Sequence, residues 1–455
     1  MRRIFILLAA FSLGLGTGFA GEKSGKGLVG KVAGPQKIDL AAALRLAGAN
    51  SLDIQIARQR LAAAEAQELI AVEQFFPTLT PGLTYRRHEN NIQAVDGPIL
   101  DVEKELYVGG ATVTGQVDLG EAIFTTLAAQ QLKRAAQHAV GAQTQQSILD
   151  AASGYLDLAQ NDAEIGIATE SVRIAEDYAG QLREAVDAGL AFKGDLLRAE
   201  AQVSRDHVAM DQAREQTRIA AAHLAQVLHL NSAVNLEPQG DALVLIKAVQ
   251  AERSLESLIM EAMSDRPELK QYAAQIEAAK KGKQGALYGP LVPTVGAQVF
   301  YGGLGGGAGS PGPASFGQSA DYSAAVSWRI GPGGLFDAGR IRQQESHLHE
   351  TELEFEKIHD QVVREVVDAY TRMHSAQGQL GDAAKALKLA SDTLDLTRQR
   401  REFAVGVVLE NIVAEQDLTK ARLDYLHIVS AFNRAQFELR RAIGALHAAE
   451  DRRNK

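Results

Sequence analysis

Two stretches of the chain alternate apolar and polar residues with a period of two, which is the pattern of a β-strand with one apolar face. The first stretch covers residues 79–119 and the second covers residues 294–330, and each holds two alternating segments joined by a loop. The apolar positions that alternate in this way are Leu79, Leu83, Tyr85, Val113, Val117, Val295, Val299, Tyr301, Tyr322, Val326 and Trp328. Each stretch therefore predicts a β-hairpin, with a polar loop in the first and a glycine-rich loop in the second.

The longest stretches follow the helical period instead. Residues 121–186 and 337–403 contain no proline, and a helix of about 65 residues extends roughly 100 Å. Each is followed, beyond Gly189 or Gly406, by a second amphipathic stretch. The later of these has a heptad seam made of Leu418, Ala421, Tyr425, Ile428, Phe432, Ala435, Leu439, Ala442 and Leu446. Small residues on such a seam permit close helix packing, so we expect two long helical hairpins in a coiled coil or α-barrel wall.

The chain repeats this organisation once. Gln55–Tyr85 aligns without a gap with Gln271–Tyr301 in the second half of the chain, and Pro77 falls on Pro293. In both copies a helix rich in alanine and charge ends at a proline, before a strand; the first such tract, Ile38–Phe76, predicts continuous helix. The predicted division is a signal peptide (1–20), a flexible leader (21–37), repeat 1 (38–232), an inter-repeat segment (233–254), repeat 2 (255–447) and a tail (448–455).

Composition restricts the function further. Arg2 and Arg3 precede the apolar run Ile4–Leu15, and small residues precede an expected cleavage after Ala20, as in a secretory signal peptide. No other stretch has the ~18 uninterrupted apolar residues of a transmembrane helix, although the half-apolar strands of a membrane barrel leave no such trace. The net charge of −9 argues against nucleic-acid binding, and the chain has no cysteine for a disulfide framework.

Three motif-like strings do not support an enzyme. Gly25–Lys31 has P-loop spacing, but Val32 stands where Ser or Thr is required and no strand precedes it. Gly302–Gly309 has glycine spacings like those of a dinucleotide site, but prolines follow in place of a helix. His347 and His349 would point about 200° apart on a helix, which does not suit a metal. We therefore expect no catalytic, cofactor-binding or metal-binding residues.

The predicted strands need partners from other chains. Four strands cannot close a barrel, and an open edge in lipid leaves backbone groups unpaired at several kcal/mol each. Three chains would supply twelve strands, which is within the range of known barrels. The residues expected to face lipid are Leu83, Val113, Val299 and Val326, and those expected to face the lumen are Thr112, Gln116, Gln298 and Ser327.

An ordered set of sequences accompanies the duplication. It consists of the joints Phe76-Pro77 and Val292-Pro293, GGLFDAGRIRQ from Gly333, AGLAFKGDLLRAEAQV from Ala188, and AVGVV from Ala404 followed by AEQDLTKARLDYL. With these, the chain resembles the TolC-type outer-membrane efflux proteins over about residues 38–447. The resemblance implies a mainly α fold with a small β part. Duplicated long helices would form a periplasmic α-barrel, and four strands per chain would complete a trimeric 12-stranded transmembrane β-barrel.

The resemblance also implies a function. It indicates the outer-membrane channel of a tripartite efflux or type I secretion system in a Gram-negative bacterium, exporting substrates passively across the periplasm and outer membrane. The implied partners are two further copies of the chain, a periplasmic adaptor (membrane fusion) protein, an inner-membrane pump of the RND or ABC type, and outer-membrane lipid. Energy must come from the pump, because the chain has no nucleotide site. Drugs, metals and a secreted protein all remain open as cargo.

Two sites are expected where the long helices reverse. A reversal requires unusual backbone angles that glycine adopts readily, so a purely structural turn and an adaptor contact are both open. The residues expected at this contact are Ala188, Gly189, Leu190, Val405, Gly406 and Val407. The resemblance further implies a periplasmic gate with acidic residues just past the second tip, where Glu415 lies nine residues beyond Gly406. The position six beyond is Ile412, with Asn411 beside it, and Phe403 and Val408 replace the tyrosine and arginine of a polar latch.

A protein of another class fits part of the pattern. A non-transporting trimeric periplasmic coiled-coil scaffold or adhesin would also have a signal peptide, heptads and an acidic charge. It does not account for two hairpins with aromatic strand ends at the same place in both repeats. A gate at Glu415 likewise has an alternative, in which this side chain is solvated or paired between subunits.

Overall fold

A computed structural model of the chain describes residues 36–231, 233–240, 244–246, 253–308, 315–402 and 408–446. The predicted signal peptide, most of the predicted leader and the predicted tail lie outside these residues. The first half contains strand β1 (Gln36–Ile38), helices α1 (Leu40–Asn50) and α2 (Leu52–Glu73), strands β2 (Thr78–His88), β3 (Asn91–Gln93), β4 (Ile99–Asp101) and β5 (Lys104–Asp118), and helices α3 (Leu119–Asp187) and α4 (Lys193–Val227).

The second half has the same order of long elements. It contains strand β6 (Leu236–Pro238), helices α5 (Leu255–Asp265) and α6 (Pro267–Tyr288), a 3-10 turn (Gly289–Leu291), strands β7 (Thr294–Ala308) and β8 (Gly317–Ser327), and helices α7 (Ala338–Glu402) and α8 (Val408–Ala442). The helices of the first half have 11, 22, 69 and 35 residues, and those of the second half have 11, 22, 65 and 35. The first two helices of one half therefore match those of the other in length, and α7 and α8 border residues 403–407, which lie outside the described residues.

The tract Ile38–Phe76 is not one helix, contrary to the sequence prediction. Ser51 separates α1 from α2 with ψ 127°, and its hydroxyl caps α2 and lies 3.1 Å from the hydroxyl of buried Ser147. Arg266 takes the same place between α5 and α6 with ψ 121°, because the residue before a proline avoids helical angles. Both breaks bend the chain around the long helices.

Arg266 also anchors its half of the molecule. Its side chain is 2% exposed and lies 2.9 Å from a carboxylate oxygen of Glu268 and 2.9 Å from one of Glu365. Arg441 of α8 binds the same two carboxylates. Two arginines and two glutamates thus neutralise one another where α5, α6, α7 and α8 meet, which satisfies charges that would be costly to bury alone.

Two short strand pairs were also missed from the sequence. The last leader residues, Gln36 and Lys37, form β1 with Ile38 and pair in parallel with β6 of the inter-repeat segment. The loop of the first hairpin contains β3 and β4, which pair in antiparallel fashion. The first pair joins segments from opposite ends of repeat 1, and such short strands are too brief for periodicity to indicate.

The remaining strands form one open antiparallel sheet in the order β2-β5-β7-β8. Helices α2, α3, α6 and α7 continue from it and pack side by side in that order. Farther from the sheet, α3 packs between α4 and α8, and α8 packs on α7. Small apolar clusters between these helices form the core, as expected when long helices replace a single thick centre. Within the described parts of the chain, no helix has the length and apolar character that crossing a bilayer requires.

Candidate functional site

The sheet has one apolar and one polar face. Directly opposed residues of antiparallel strands share a face, and the register opposes Leu79 to Val113, Val113 to Val299, and Val295 to Val326. The four residues predicted to face lipid, Leu83, Val113, Val299 and Val326, therefore share one face, and all four are exposed in the single chain. The other face carries Thr112, Gln116, Gln298 and Ser327, together with Thr114 and Ser323.

The polar face also carries apolar residues, namely Val108, Leu304 and the aromatic Phe300. Phe300 lies on it, and Gly110 and Gly302 oppose each other on the neighbouring strands. A Cβ on Gly110 would lie 2.8 Å from Cε2 of Phe300, and one on Gly302 would lie 2.9 Å from its Cζ. The ring therefore covers both glycines. In the sequence, the only sign of this arrangement is the presence of the two glycines. That they lie opposite each other follows only from the strand register.

A polar cluster interrupts the apolar face near the loops. The hydroxyls of Tyr85 and Tyr107 donate hydrogen bonds of 3.2 and 2.8 Å to the carboxylate of Glu105, and their ring centroids are 5.0 Å apart. A guanidinium nitrogen of Arg87 lies 3.5 Å from the same carboxylate. Tyrosines that turn an apolar ring one way and a hydroxyl the other suit the boundary of an apolar surface with water.

The first helix tip is built around Gly189. Ala188 ends α3, Gly189 has φ 77°, and the amide of Leu190 donates to the carbonyl of Ala185, which is a glycine-dependent helix ending. Leu190 is 84% exposed and Phe192, which sequence reasoning did not single out, is 74% exposed. The tip thus presents two large apolar side chains to its surroundings. Val405, Gly406 and Val407 lie outside the described residues.

The residues predicted for a gate lie next to each other on α8. Asn411 is buried and donates a 2.8 Å hydrogen bond to Glu415. Ile412 lies at the position where the family resemblance implies an acidic residue. It is buried in an apolar cluster with Tyr178 and Leu182 of α3. The start of α8 is therefore held against α3 and α4 by apolar contact, with the carboxylate of Glu415 beside that contact.

A polar link joins α8 to α4 at the same level. Nε2 of Gln416 donates a 2.8 Å hydrogen bond to Oε1 of Gln202, whose own Nε2 donates a 2.8 Å hydrogen bond to Asp206. The side chain of Gln202 is buried. Burial raises the pKa of Asp206, and the hydrogen bond from Gln202 with the charge of Arg205 offsets this only in part. Asp206 and Glu415 line one groove of about 320 Å³ between α3, α4, α7 and α8.

Further contacts join α3 to α8 along their length. Asp157 pairs with Arg434, Glu164 lies 2.9 Å from His427, and the hydroxyls of Ser171 and Thr419 are 2.8 Å apart. Tyr178 donates to the carbonyl of Val408 at 3.4 Å. The two halves of the chain are thus tied by polar pairs that recur about every two turns of helix. Among the described residues no group of three or more acidic or histidine side chains is placed to hold a metal ion.

These features agree with sequence comparison. The chain matches the outer membrane efflux protein family over residues 43–228 and 258–445. It belongs to this family, whose members are channels and not enzymes. The two matched segments correspond to the two halves of the structure, each from its first helix to the end of its last.

Individual relatives are distant in sequence but close in fold. The outer membrane efflux protein BepC of Brucella suis biovar 1 is 22% identical over 307 residues, which are 67% of this chain and 64% of that protein. The Campylobacter jejuni CmeC outer membrane channel has a TM-score of 0.78 at 14% identity, covering 90% of this chain and 87% of that one. The open state of the Neisseria gonorrhoeae MtrE outer membrane channel has a TM-score of 0.74 at 16% identity, covering 90% of each chain.

Proposed function

We propose that this chain is the outer-membrane channel of a tripartite export system, and that it conducts cargo passively from an inner-membrane pump to the outside. Three copies close a 12-stranded barrel in lipid, and their long helices continue as an α-barrel through the periplasm. A periplasmic adaptor contacts the helix tips, and the pump supplies the energy. The observation that carries the proposal is the four-stranded sheet, which has one apolar face and in which β2 and β8 are the two outer strands.

The two edges suit each other. Strands β2 and β8 have 11 residues each and run in opposite directions, because three antiparallel pairings separate them. Pairing β8 of one copy with β2 of the next therefore extends the antiparallel sheet. In lipid each unpaired backbone group costs several kcal/mol, so closure is strongly favoured there, and three copies give a barrel of ordinary size.

The helices inside one chain provide a template for the contact between copies. Helices α2 and α6 end at Glu73 and Tyr288, and α4 and α8 end at Val227 and Ala442, so one and the same offset along the sequence relates both pairs. The packing of α3 on α8 within the chain thus corresponds to packing of α7 on α4 of the next copy. In this correspondence Leu389 of α7 is equivalent to Ile174 of α3. Leu389 is 55% exposed in the single chain, whereas Ile174 is 8% exposed because it is covered by neighbouring helices. Exposed apolar residues of α7 and α4 become buried in the ring.

The tip and the groove supply the remaining parts of the mechanism. Leu190 and Phe192 offer an apolar surface to the tip of an adaptor, with Ala188 and Gly189 forming the turn, and Val405, Gly406 and Val407 are proposed as its counterpart on the second hairpin. Asn411 and Glu415 are proposed as part of the gate. The start of α8 closes the channel by packing on α3 and α4, and release of this contact opens it. Three copies of Glu415 around one axis would favour cations there.

The assembly is tested by cysteine cross-linking, since the chain contains no cysteine. Thr80→Cys in β2 combined with cysteine at Asp321, Ser323 or Ala325 in β8 should give disulfide-linked trimers in isolated outer membranes for one of the three pairs. The pair Thr80 and Thr112, opposed within one chain, is the control and should form an intramolecular bridge.

Fractionation separates the channel from the alternative scaffold. A channel should remain in the detergent-extracted outer membrane as a trimer that resists mild heating. A protein that is released in soluble form on lysis, with no cross-link between β2 and β8 in any of the three pairs, contradicts the proposal and supports the scaffold or adhesin.

A further inference from the structure

The β8–α7 loop (residues 328–336) exists in only one half of the chain. In the first half Asp118 is the last residue of β5 and also caps α3, so that strand and helix are continuous. In the second half Asp337 caps α7 by accepting from the amide of Arg340 at 3.0 Å, but β8 has already ended at Ser327. The register opposes both Asp118 and Ser327 to Thr294. Residues 328–336 are therefore inserted between β8 and α7 at the level of the sheet where, in the first half, β5 passes directly into α3.

The loop is held in one shape by its own hydrogen bonds. The amide of Leu335 donates to the carbonyl of Arg329 and that of Gly331 to the carbonyl of Leu335, both at 2.9 Å. The amide of Gly333 donates to Oδ2 of Asp337 at 2.7 Å. Phe336 has φ 70°, a left-handed conformation that aromatic residues rarely adopt. The backbone thus fixes the direction in which Phe336 projects.

This rigid loop displays large apolar side chains. Trp328 is 54% exposed, Ile330 is 72% exposed and Phe336 is 86% exposed. A strained, fixed backbone that displays an aromatic side chain to water has no benefit for the isolated chain. The observation therefore calls for a partner surface at this level of the molecule.

A matching surface lies at the other edge of the same sheet. Strand β2 begins at Thr78, and the turn before it contains Phe75, which is 37% exposed, and Phe76, which is 66% exposed. When β8 of one copy pairs with antiparallel β2 of the next, the residues after Ser327 come to lie beside those before Thr78. The two exposed aromatic groups then meet where strands pass into helices.

The equivalent junction inside the chain is already closed. There the start of α3 touches the turn after α6 so closely that a Cβ on Gly120 would lie 2.0 Å from the carbonyl oxygen of Gly289. The seam between the second and third strands is thus sealed by backbone contact. At the free edges bulky aromatic residues occupy the corresponding place.

We propose that the β8–α7 loop is a lock between subunits, in which Phe336 packs on Phe75 and Phe76 of the partner subunit. This inference rests on the trimer of the proposed function. It adds a contact that the strand edges do not themselves provide, and the partner is a second copy of this chain. The contact buries the most exposed aromatic side chain at the base of the barrel.

Cross-linking in the cysteine-free chain tests the contact. Phe336→Cys combined with Phe76→Cys should give reducible trimers in isolated outer membranes, and neither single variant should do so. If the β2–β8 strand pair cross-links but this pair does not, the lock is wrong while the trimer stands. If neither pair cross-links, the trimer itself is wrong, and the lock fails with it.

Two substitutions separate contact from backbone strain. Phe336→Gly relieves the left-handed strain but removes the ring, so the trimer should dissociate in detergent at a temperature several degrees lower, as it should for Phe336→Ala. Phe192→Ala removes an equally large exposed ring from the helix tip and should leave the dissociation temperature unchanged. A higher or unaltered temperature for Phe336→Gly overturns the proposal. So does a photoreactive phenylalanine at position 336 that cross-links to phospholipid and not to protein.

Discussion

The side-chain nitrogen of Asn411 donates a 2.8 Å hydrogen bond to Oε1 of Glu415, one turn further along α8. Asn411 is 2% exposed, so its side-chain amide cannot move out into solvent together with the carboxylate of Glu415. The carboxylate is therefore held on the side of α8 that borders the groove with Gln202 and Asp206. A buried neutral side chain thus fixes the position of the charge on which the proposed gate depends.

Removing this charge should alter ion selectivity. Glu415→Ala takes three negative charges from the narrow end of the trimer, so single-channel recordings should show weaker cation selectivity and weaker block by multivalent cations. The difference should shrink at high salt, because screening weakens the field of the charges. Glu354→Gln, an exposed glutamate of α7, is the control. Unchanged selectivity and block in Glu415→Ala would exclude this residue from the gate.

The polar link between α4 and α8 should hold the channel closed. Gln202→Leu or Gln416→Leu removes the hydrogen bond that joins the helices, which contributes about 0.5–1.5 kcal/mol. Each variant should raise the open probability in planar bilayers, and the double variant should add little to Gln202→Leu alone, because that substitution already removes the bond to Gln416. Gln361→Leu, which loses a bond within α7 only, is the control. Additive effects of the two substitutions would contradict a shared link.

The raised pKa of Asp206 predicts a pH-dependent stability. Its pKa in the folded state lies above the ordinary value of 3.8, so ionisation costs more in the folded protein than in the unfolded chain. The cost is absent below the ordinary pKa, grows as pH rises through the folded pKa and is complete at neutral pH. Asp206→Asn keeps an acceptor for Gln202 and should raise the melting temperature at pH 7, with the gain vanishing in acid. Asp211→Asn, at an exposed site on the same helix, should show no such pattern.

The helix tip should lose its adaptor when its apolar surface is charged. Burial of one leucine contributes about 1.5–3 kcal/mol, so Leu190→Glu should weaken adaptor binding about tenfold or more. Export and cross-linking to the adaptor should fall while the amount of trimer stays constant. Val95→Glu, at a fully exposed loop position beyond the strands, is the control. Normal export and adaptor cross-linking in Leu190→Glu would leave the tip as a structural turn only.

Adjacent residues of β5 should respond oppositely to the same substitution. Val113 lies on the apolar face and Thr112 on the polar one, both near the middle of the strand, and arginine facing lipid near the midplane costs about 2–4 kcal/mol. Val113→Arg should lose membrane insertion and trimer together, whereas Thr112→Arg should assemble and change conductance. A Val113→Arg protein that inserts as a stable monomer would refute the twelve-stranded assembly.

Local patterns indicated the main elements of this fold. The long helices have no proline and a continuous apolar period, so propensity and periodicity act along the whole of α3 and α7. The strands alternate because one face of the sheet is apolar, and the alternation alone was enough to group Leu83, Val113, Val299 and Val326. The pairing of the strands later placed these four residues on one face. The resemblance to the family likewise rested on a set of short sequences that occur in a fixed order along the two copies.

Contacts between distant segments could not be read in this way. The break at Ser51 depends on Ser147, the pairing of β1 with β6 joins the two ends of repeat 1, and Glu105 acquires its two tyrosines only through the strand register. Gln202 and Gln416 lie in different halves of the chain and look like ordinary helix-surface residues in sequence. Periodicity reports which side of an element is apolar, since that follows from spacing along one chain segment. Which polar group meets which is decided only when two helices or strands pack at a fixed offset, and that offset is a property of the tertiary structure.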